Sequence, residues 1–380
     1  MKTAILAIIL FCIMIFPHEL GHYIAAKKCG VKVNEFAFGM GPVIWKKQKG
    51  ETLHSIRLLP IGGFCAMEGE DEDSEDERAF GRKKPWQKIL ILAAGSLMNI
   101  ACAIVIMCLV VGIRGFTTTT IGEVQAGSAA EAAGLTANDK IISITTDKEY
   151  RIDDWSQISE ALGGLSEGES ASVDYERDGM LYGAEVRPTL AEGVDAQGNK
   201  VSHYVLGVTC KISHSPFKAV VAGAQSTWGM TKMMFSALGQ LFTGKASPDE
   251  LTGPVGMVQM VSQTSQYGFW YYGFLTALIC LNLAIINMLP LPALDGGRII
   301  FVLYSAITGK AVSEKVEGTI HFVGLALLML LMVYVTFNDV VRIFGLLLYE
   351  KKQEDKLRRT LHRGRCANYD TIHDKCGFTR

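Results

Sequence analysis

The chain contains 380 residues with a net charge of −1, and only 20% of its residues are charged. Its mean hydropathy of +0.23 is too high for a soluble enzyme of this length. These values exclude an ordinary soluble protein and indicate that the bilayer is the solvent for much of the chain. The sequence contains no internal repeat and no basic patch, so we expect no nucleic-acid partner.

Four apolar runs are each close to the roughly 20 residues that cross a hydrocarbon core about 30 Å thick. They cover residues 3–23, 89–113, 272–291 and 322–337. The first run has an alternative interpretation as a cleaved signal peptide, but no small-x-small cleavage site closes it. The sequence therefore predicts a polytopic α-helical membrane protein with about four transmembrane helices.

Basic residues predict how these helices are oriented. Lysine and arginine are abundant between the first two runs, whereas Arg114 is almost alone after the second. The positive-inside rule then makes residues 25–88 cytoplasmic. An even number of crossings places both termini and the large middle segment outside. The basic tail at 346–380 conflicts with that orientation.

The remaining segments have distinct compositions. Residues 25–88 mix β-branched and aromatic residues with turn-forming glycine and proline, which predicts short strands, and they end in a solvated acidic loop. Residues 117–210 have the composition of a small soluble α+β domain. Residues 215–265 predict an amphipathic helix on the membrane surface, followed by a linker. The predicted transmembrane segments are 1–24, 89–113, 268–306 with a broken helix, and 319–345.

The first apolar run ends in the sequence HELGH. His18 and His22 are four residues apart, so on a helix both imidazoles face the same side and can bind one metal ion. Glu19 is then placed beside that ion as a candidate catalytic base. Because histidine and glutamate are costly inside a bilayer, such a cluster indicates a functional site. The spacing is typical of catalytic Zn²⁺, which needs a third protein ligand and an open position for water.

The best candidate for the third ligand is Asp295, in the sequence INMLPLPALDGGR. Prolines and glycines break the apolar helix here, and such a break is tolerated at membrane depth where the backbone lines protein or a water-filled cavity. The alternative is an ordinary Asp-Gly turn at the membrane surface. Asn287 precedes the break and is either a substrate or oxyanion contact or a helix-packing residue.

Several motifs together resemble those of the site-2 protease family of intramembrane zinc metallopeptidases, in the bacterial form with an inserted PDZ domain. FPHELGH and NMLPLPALDGGR are similar to the two metal-binding motifs of that family. PIGGFCAM resembles its membrane-associated β-loop, AAGSLMN its second-span motif, GSAAEAAGLTANDKIISI a PDZ core and LTGPVG the segment before the third span. One departure is Ser96, where the family usually has proline.

The resemblance implies that His18, His22 and Asp295 bind Zn²⁺, that Glu19 is the catalytic acid/base and that Asn287 contacts substrate. It implies regulated intramembrane proteolysis of single-span membrane proteins, such as anti-sigma factors or signal-peptide remnants. It also implies a multi-pass protein of the cell inner (plasma) membrane, with the active site towards the cytoplasm and the PDZ domain, residues 117–210, outside. The alternative function is a non-catalytic membrane scaffold whose PDZ domain binds peptide termini.

Overall fold

The structure is a computed structural model that describes residues 2–70, 74–166, 168–194, 200–244, 252–310 and 312–373. Four of its helices are long and apolar enough to cross a membrane. They are Thr3–Lys28, Pro85–Arg114, Phe269–Asn287 and Lys315–Phe344. Among its described residues the structure therefore has the four apolar helices of membrane-spanning length that the sequence predicts.

The chain divides into two compact units, one made of Met1–Ala103 with Gly229–Arg380 and the other of Ile104–Trp228. The first unit begins with helix α1 (Lys2–Lys28) and strands β1 (Val33–Lys49) and β2 (Thr52–Met67), followed by a single 3-10 turn, Phe80–Arg82. Helices α2 (Pro85–Arg114) and α5 (Pro216–Phe242) extend across the division in sequence. The first unit ends with α6 (Pro254–Thr264), α7 (Phe269–Asn287), α8 (Asp295–Thr308) and α9 (Glu314–His373).

Strands β1 and β2 fold back on themselves into a small antiparallel sheet. Residues 35–38 pair with 63–66 on one side and with 53–56 on the other, and 53–56 pair in turn with 45–48. From one edge of the sheet to the other, the order of the strand segments is therefore 63–66, 35–38, 53–56 and 45–48. This arrangement leaves 63–66 as an edge strand of the sheet, which matters because that strand lies against α1.

Helix α1 is fixed by apolar contacts on two sides. Its first half packs against α6 and α7 through residues such as Leu10, Val261 and Leu275, all nearly fully buried. The Tyr272 hydroxyl donates a hydrogen bond to the Leu6 carbonyl over 2.7 Å. Its second half packs against the β1/β2 sheet and α2, around Ile91. The helix that carries HELGH is thereby held between the other apolar elements of this unit.

Two elements differ from what the sequence suggested. Helix α9 continues without a break from Glu314 to His373, so residues 346–373 of the expected tail are helical. The transmembrane helix predicted from the sequence ends at residue 345 because hydropathy falls there. Helix propensity stays high beyond that point, so the helix continues. The predicted linker before the third apolar helix contains α6, which begins at Pro254, a favoured first helical position.

The second unit is an α+β domain of six strands and two short helices, with an additional strand pair. Its elements are β3 (Phe116–Val124), α3 (Ala129–Ala132), β4 (Lys140–Thr145), β5 (Glu149–Arg151), α4 (Ser156–Leu162), β6 (Ala171–Arg177), β7 (Met180–Val186), β8 (Thr189–Val194), β9 (Lys200–Val205) and β10 (Val208–Ser213). The sheet order is β10-β3-β4-β6-β7, with β5 beside β4 and β8 paired with β9. Its core consists of fully buried aliphatic residues, including Ile121, Ile141, Ile144, Leu162 and Val173.

Candidate metal centre

The two histidines of HELGH face one another on the buried side of α1. Both are only 7% exposed, and their Nε2 atoms are 3.2 Å apart. His22 Nδ1 lies 2.9 Å from the Ile91 carbonyl oxygen on α2. A carbonyl only accepts hydrogen bonds, so the His22 proton lies on Nδ1 and the lone pair of Nε2 is free to bind a metal.

Asp295 is the first residue of α8 and lies directly opposite this pair. Its Oδ2 is 3.4 Å from Nε2 of His18 and 3.4 Å from Nε2 of His22. Helix α7 ends at Asn287, and the seven residues that follow turn the chain back so that α8 starts at the carboxylate. Within the described ranges, these residues form the one group of three or more histidine, cysteine and acidic side chains with ligand atoms within 4.8 Å of one another.

The three ligand atoms have the spacing of a tetrahedral zinc site. Their separations are 3.2, 3.4 and 3.4 Å. Two ligands about 2.0–2.1 Å from a tetrahedral metal ion lie about 3.3–3.4 Å apart. Asp295 Oδ2 is buried without a hydrogen-bond partner among the described atoms, which is costly unless a cation completes its environment. Two imidazoles and one carboxylate therefore fit Zn²⁺ and leave its fourth position open.

Glu19 lies beside this cluster, between α1 and the edge strand of the β1/β2 sheet. The backbone N–H of Cys65 donates to its carboxylate. Gly63 is so close that a Cβ atom placed there would lie 3.1 Å from Glu19 Cγ. The carboxylate is half-buried and held next to His18 and His22, which is the arrangement that a general base requires.

Asn287 also reaches the cluster. It is the last residue of α7, and its Nδ2 lies 3.2 Å from Nε2 of His18, the nitrogen that faces His22 and Asp295. The side chain is partly accessible. The structure thus brings all five predicted site residues together, although their roles remain predictions.

The family of this chain follows from a comparison with known sequences. The sequence profile of peptidase family M50 matches residues 6–331, which include every residue of the cluster. The chain belongs to peptidase family M50. This is the site-2 protease family, so the predicted family is confirmed, as are a multi-pass membrane protein, metalloendopeptidase activity and a Zn²⁺ cofactor.

Individual M50 relatives match along nearly their whole length. Zinc metalloprotease RasP of Geobacillus kaustophilus is 30% identical over 425 residues, covering 90% of this chain and 99% of RasP. A Clostridium acetobutylicum protein whose name assigns it to the zinc metalloproteases is 35% identical over 339 residues, covering 89% and 97% of the two chains. Among solved structures, the PDZ domain of an SdrC-like protein from Listeria monocytogenes matches 25% of this chain and 88% of that domain, at 16% identity and a TM-score of 0.19.

Two contributors to this M50 site were not singled out from the sequence. Gly95 on α2 approaches the histidines so closely that a Cβ atom there would lie 2.3 Å from His22 Nε2. The Ile91 carbonyl, one turn earlier, accepts from His22. Gly95 could have been identified from the AAGSLMN motif, because a glycine within a helix often marks a place where another element approaches the helix backbone closely. Nothing in the sequence marks the Ile91 carbonyl, since every residue has one.

Two other polar residues of the first unit are not members of the ligand cluster. His54 is on β2, with its ring against Tyr23 and Phe36 at centroid distances of 5.8 and 6.1 Å. This aromatic packing, not metal binding, explains its position. Asn99, on α2, is fully buried, and neither atom of its amide has a hydrogen-bond partner among the described residues.

Proposed function

We propose that the chain hydrolyses peptide bonds of single-span membrane proteins inside or at the edge of the bilayer, in regulated intramembrane proteolysis. The observation that carries this proposal is the trio of ligand atoms, 3.2–3.4 Å apart. Two of them belong to the first of the helices apolar enough to span a membrane, and the third opens α8, shortly after the third such helix ends. A hydrolytic centre at that depth meets substrates that are themselves in the membrane. The resemblance to single-PDZ site-2 proteases supports the inner (plasma) membrane as its location.

Each site residue then has a distinct role. His18, His22 and Asp295 would hold Zn²⁺, which supplies Lewis acidity and lowers the pKa of a bound water to about 7. Glu19 accepts the proton of the attacking water and returns it to the leaving amine. The Asn287 amide, one hydrogen-bond length from His18, donates to the substrate backbone or to the developing oxyanion.

A substrate helix must be partly unwound before its carbonyl can be attacked, because its peptide groups are hydrogen-bonded internally. The edge strand 63–66 offers a place for the unwound segment. It pairs with 35–38 on one side, and its Cys65 N–H points to Glu19 on the other. We propose that an extended substrate adds to this edge by strand pairing, which would bring its backbone next to the general base.

The decisive experiment compares Glu19→Gln with wild type, using full-length protein and a single-span reporter in the same vesicles. Cleavage should fall at least about 100-fold while zinc content stays near one ion per chain, since glutamine keeps the side-chain volume but cannot accept a proton. Glu123→Gln, an exposed site in the second unit, is the matched control and should cleave normally. Cleavage that survives Glu19→Gln would rule out Glu19 as the base, whereas wild-type protein that binds zinc but cleaves no single-span reporter would favour the scaffold alternative.

A further inference from the structure

The loop between α7 and α8 contains a residue in an unfavourable backbone conformation. Ala293 adopts φ +70°, a left-handed conformation that residues with a side chain rarely occupy. The loop also winds tightly over the start of α8, since a Cβ atom at Gly296 or Gly297 would lie 2.2 Å from a loop carbonyl oxygen. The direction in which Asp295 projects depends on this conformation, because Asp295 follows Ala293 by two residues.

A side chain from another element bonds to this loop at its left-handed residue. The backbone N–H of Ala293 donates to Nδ1 of His321, on α9, over 2.9 Å. The His321 side chain is only 18% exposed, and its ring lies 5.5 Å from the ring of Phe301, on α8. Because Nδ1 accepts, the ring proton lies on Nε2, which faces Glu317 Oε1 at 3.9 Å.

Helix α9 supports the same loop at a second point. Gly324, one turn after His321, is so close to the loop that a Cβ atom there would lie 2.2 Å from Pro292 Cβ. Pro292 and Ala293 are adjacent, so α9 contacts the loop both by packing and by a hydrogen bond. The bond from Ala293 is directional, and it is therefore suited to fixing the peptide orientation that the left-handed residue needs.

We propose that His321 is a positioning residue of the metal site, which fixes the loop and thereby aims the Asp295 carboxylate. This inference rests on the proposed function, in which Asp295 binds zinc. Metal–ligand distances tolerate errors of only about 0.2 Å, so a small relaxation of the loop would weaken zinc binding. His321 is not itself part of the ligand cluster. Its effect on the metal passes through the Ala293 backbone.

Two substitutions separate the hydrogen bond from the volume of the ring. His321→Phe keeps an aromatic ring but removes the acceptor. His321→Asn places Oδ1 at the same bond separation from Cβ as Nδ1, so it can accept from Ala293. Phe322→Ala is the control, since Phe322 neighbours His321 on α9 but is 72% exposed. Zinc affinity is measured by chelator competition on detergent-purified full-length protein, together with thermal midpoint, kcat and KM.

We expect His321→Phe to weaken zinc binding about 10- to 100-fold, the usual effect of removing an outer-shell partner of a metal ligand. At subsaturating zinc its kcat should fall with little change in KM. His321→Asn should recover most of the affinity, and Phe322→Ala should match wild type. If His321→Phe lowers the thermal midpoint, His321→Asn becomes the deciding variant, because it retains the acceptor.

Three outcomes would overturn the inference. One is a wild-type zinc affinity for His321→Phe, and another is an equal loss in His321→Asn and His321→Phe. The third is a loss in the control as large as that at His321. Failure of the proposed function looks different, because wild-type protein would then bind no zinc under metal-replete conditions. Zinc binding that is lost in Asp295→Ala but kept in His321→Phe would refute only the role of His321.

Discussion

Gly95→Ala is the smallest change that should empty the metal site while leaving the helices intact. Gly95 lies on α2 against the two histidines of α1. An added Cβ atom would lie 2.3 Å from Nε2 of His22, and 2.7 and 2.8 Å from Cε1 and Nδ1 of His18. Both imidazoles must therefore move, and they are the groups proposed to bind zinc.

The size of that movement follows from these distances. Ordinary contacts of a Cβ atom begin at 3.4 Å, so the His22 ring must retreat by about 1 Å. Zinc–ligand distances tolerate changes of only about 0.2 Å. We therefore expect zinc affinity to fall by at least the roughly 10- to 100-fold that follows loss of a hydrogen-bond partner of a metal ligand. Helix α2 itself gains up to about 1 kcal/mol of helix propensity from alanine. The variant should thus fold well and bind zinc poorly.

The assay is zinc stoichiometry and chelator competition on detergent-purified protein, with the thermal midpoint measured in parallel. Gly112→Ala is the matched control on the same helix, since its Cβ would make an ordinary 3.7 Å contact with the Ala219 side chain. It should bind zinc as wild type does. A Gly95→Ala protein with one tightly bound zinc and full activity would refute the proposed use of the two histidines.

Two further predictions concern residues away from the zinc ligands. Asp339, 1% exposed on α9, accepts from the Gly256 N–H over 2.7 Å at the start of α6. Asp339→Ala should destabilise α6 by about 1–3 kcal/mol, which hydrogen exchange at the Gly256 amide would detect, and unchanged exchange there would contradict it. In the second unit, burial tends to raise the pKa of Asp139, but hydrogen bonds led by that from Arg177 outweigh it and hold the pKa below its ordinary value. The ion pair stabilises the fold fully above about pH 4, and this stabilisation is lost as pH falls through the lowered pKa. Arg177→Met should therefore accelerate hydrogen exchange in β4 and β6 at pH 6, and its difference from wild type should shrink as pH falls.

The sequence predicted the centre of the site because its signals are local. The four-residue spacing of His18 and His22 puts both rings on one helix face in any α-helix, and Glu19 is covalently adjacent. The break before Asp295 was visible as prolines and glycines inside an apolar run. That these two segments meet was inferred from resemblance and from the need for a third ligand. No local pattern contained the distance between them.

The surroundings of the site could not be predicted because they depend on tertiary contacts. His321 accepts a hydrogen bond from the backbone N–H of Ala293, which lies 28 residues away in the sequence. In the sequence alone, His321 is an isolated histidine in an apolar helix. Residues 63–66 form an edge strand because segment 35–38 pairs with them on one side and with 53–56 on the other. Turn residues alone do not specify this register. A backbone acceptor such as the Ile91 carbonyl has no sequence signature.

Part of the proposed site lies where regular secondary structure ends, whereas His18, Glu19 and His22 lie within α1. Asn287 is the last residue of α7, Asp295 is the first residue of α8, and Cys65 lies on an edge strand. At such positions some polar groups are not used in the hydrogen bonds of a helix or a sheet. A protease that works on membrane helices needs such groups, because its substrate must exchange internal hydrogen bonds for new ones before a carbonyl is exposed. Ends of helices and edges of sheets are unstable in lipid unless other elements brace them. We therefore expect the bonds that Asp339 and His321 make from the fourth apolar helix, to α6 and to the loop before α8, to brace the elements around the proposed site.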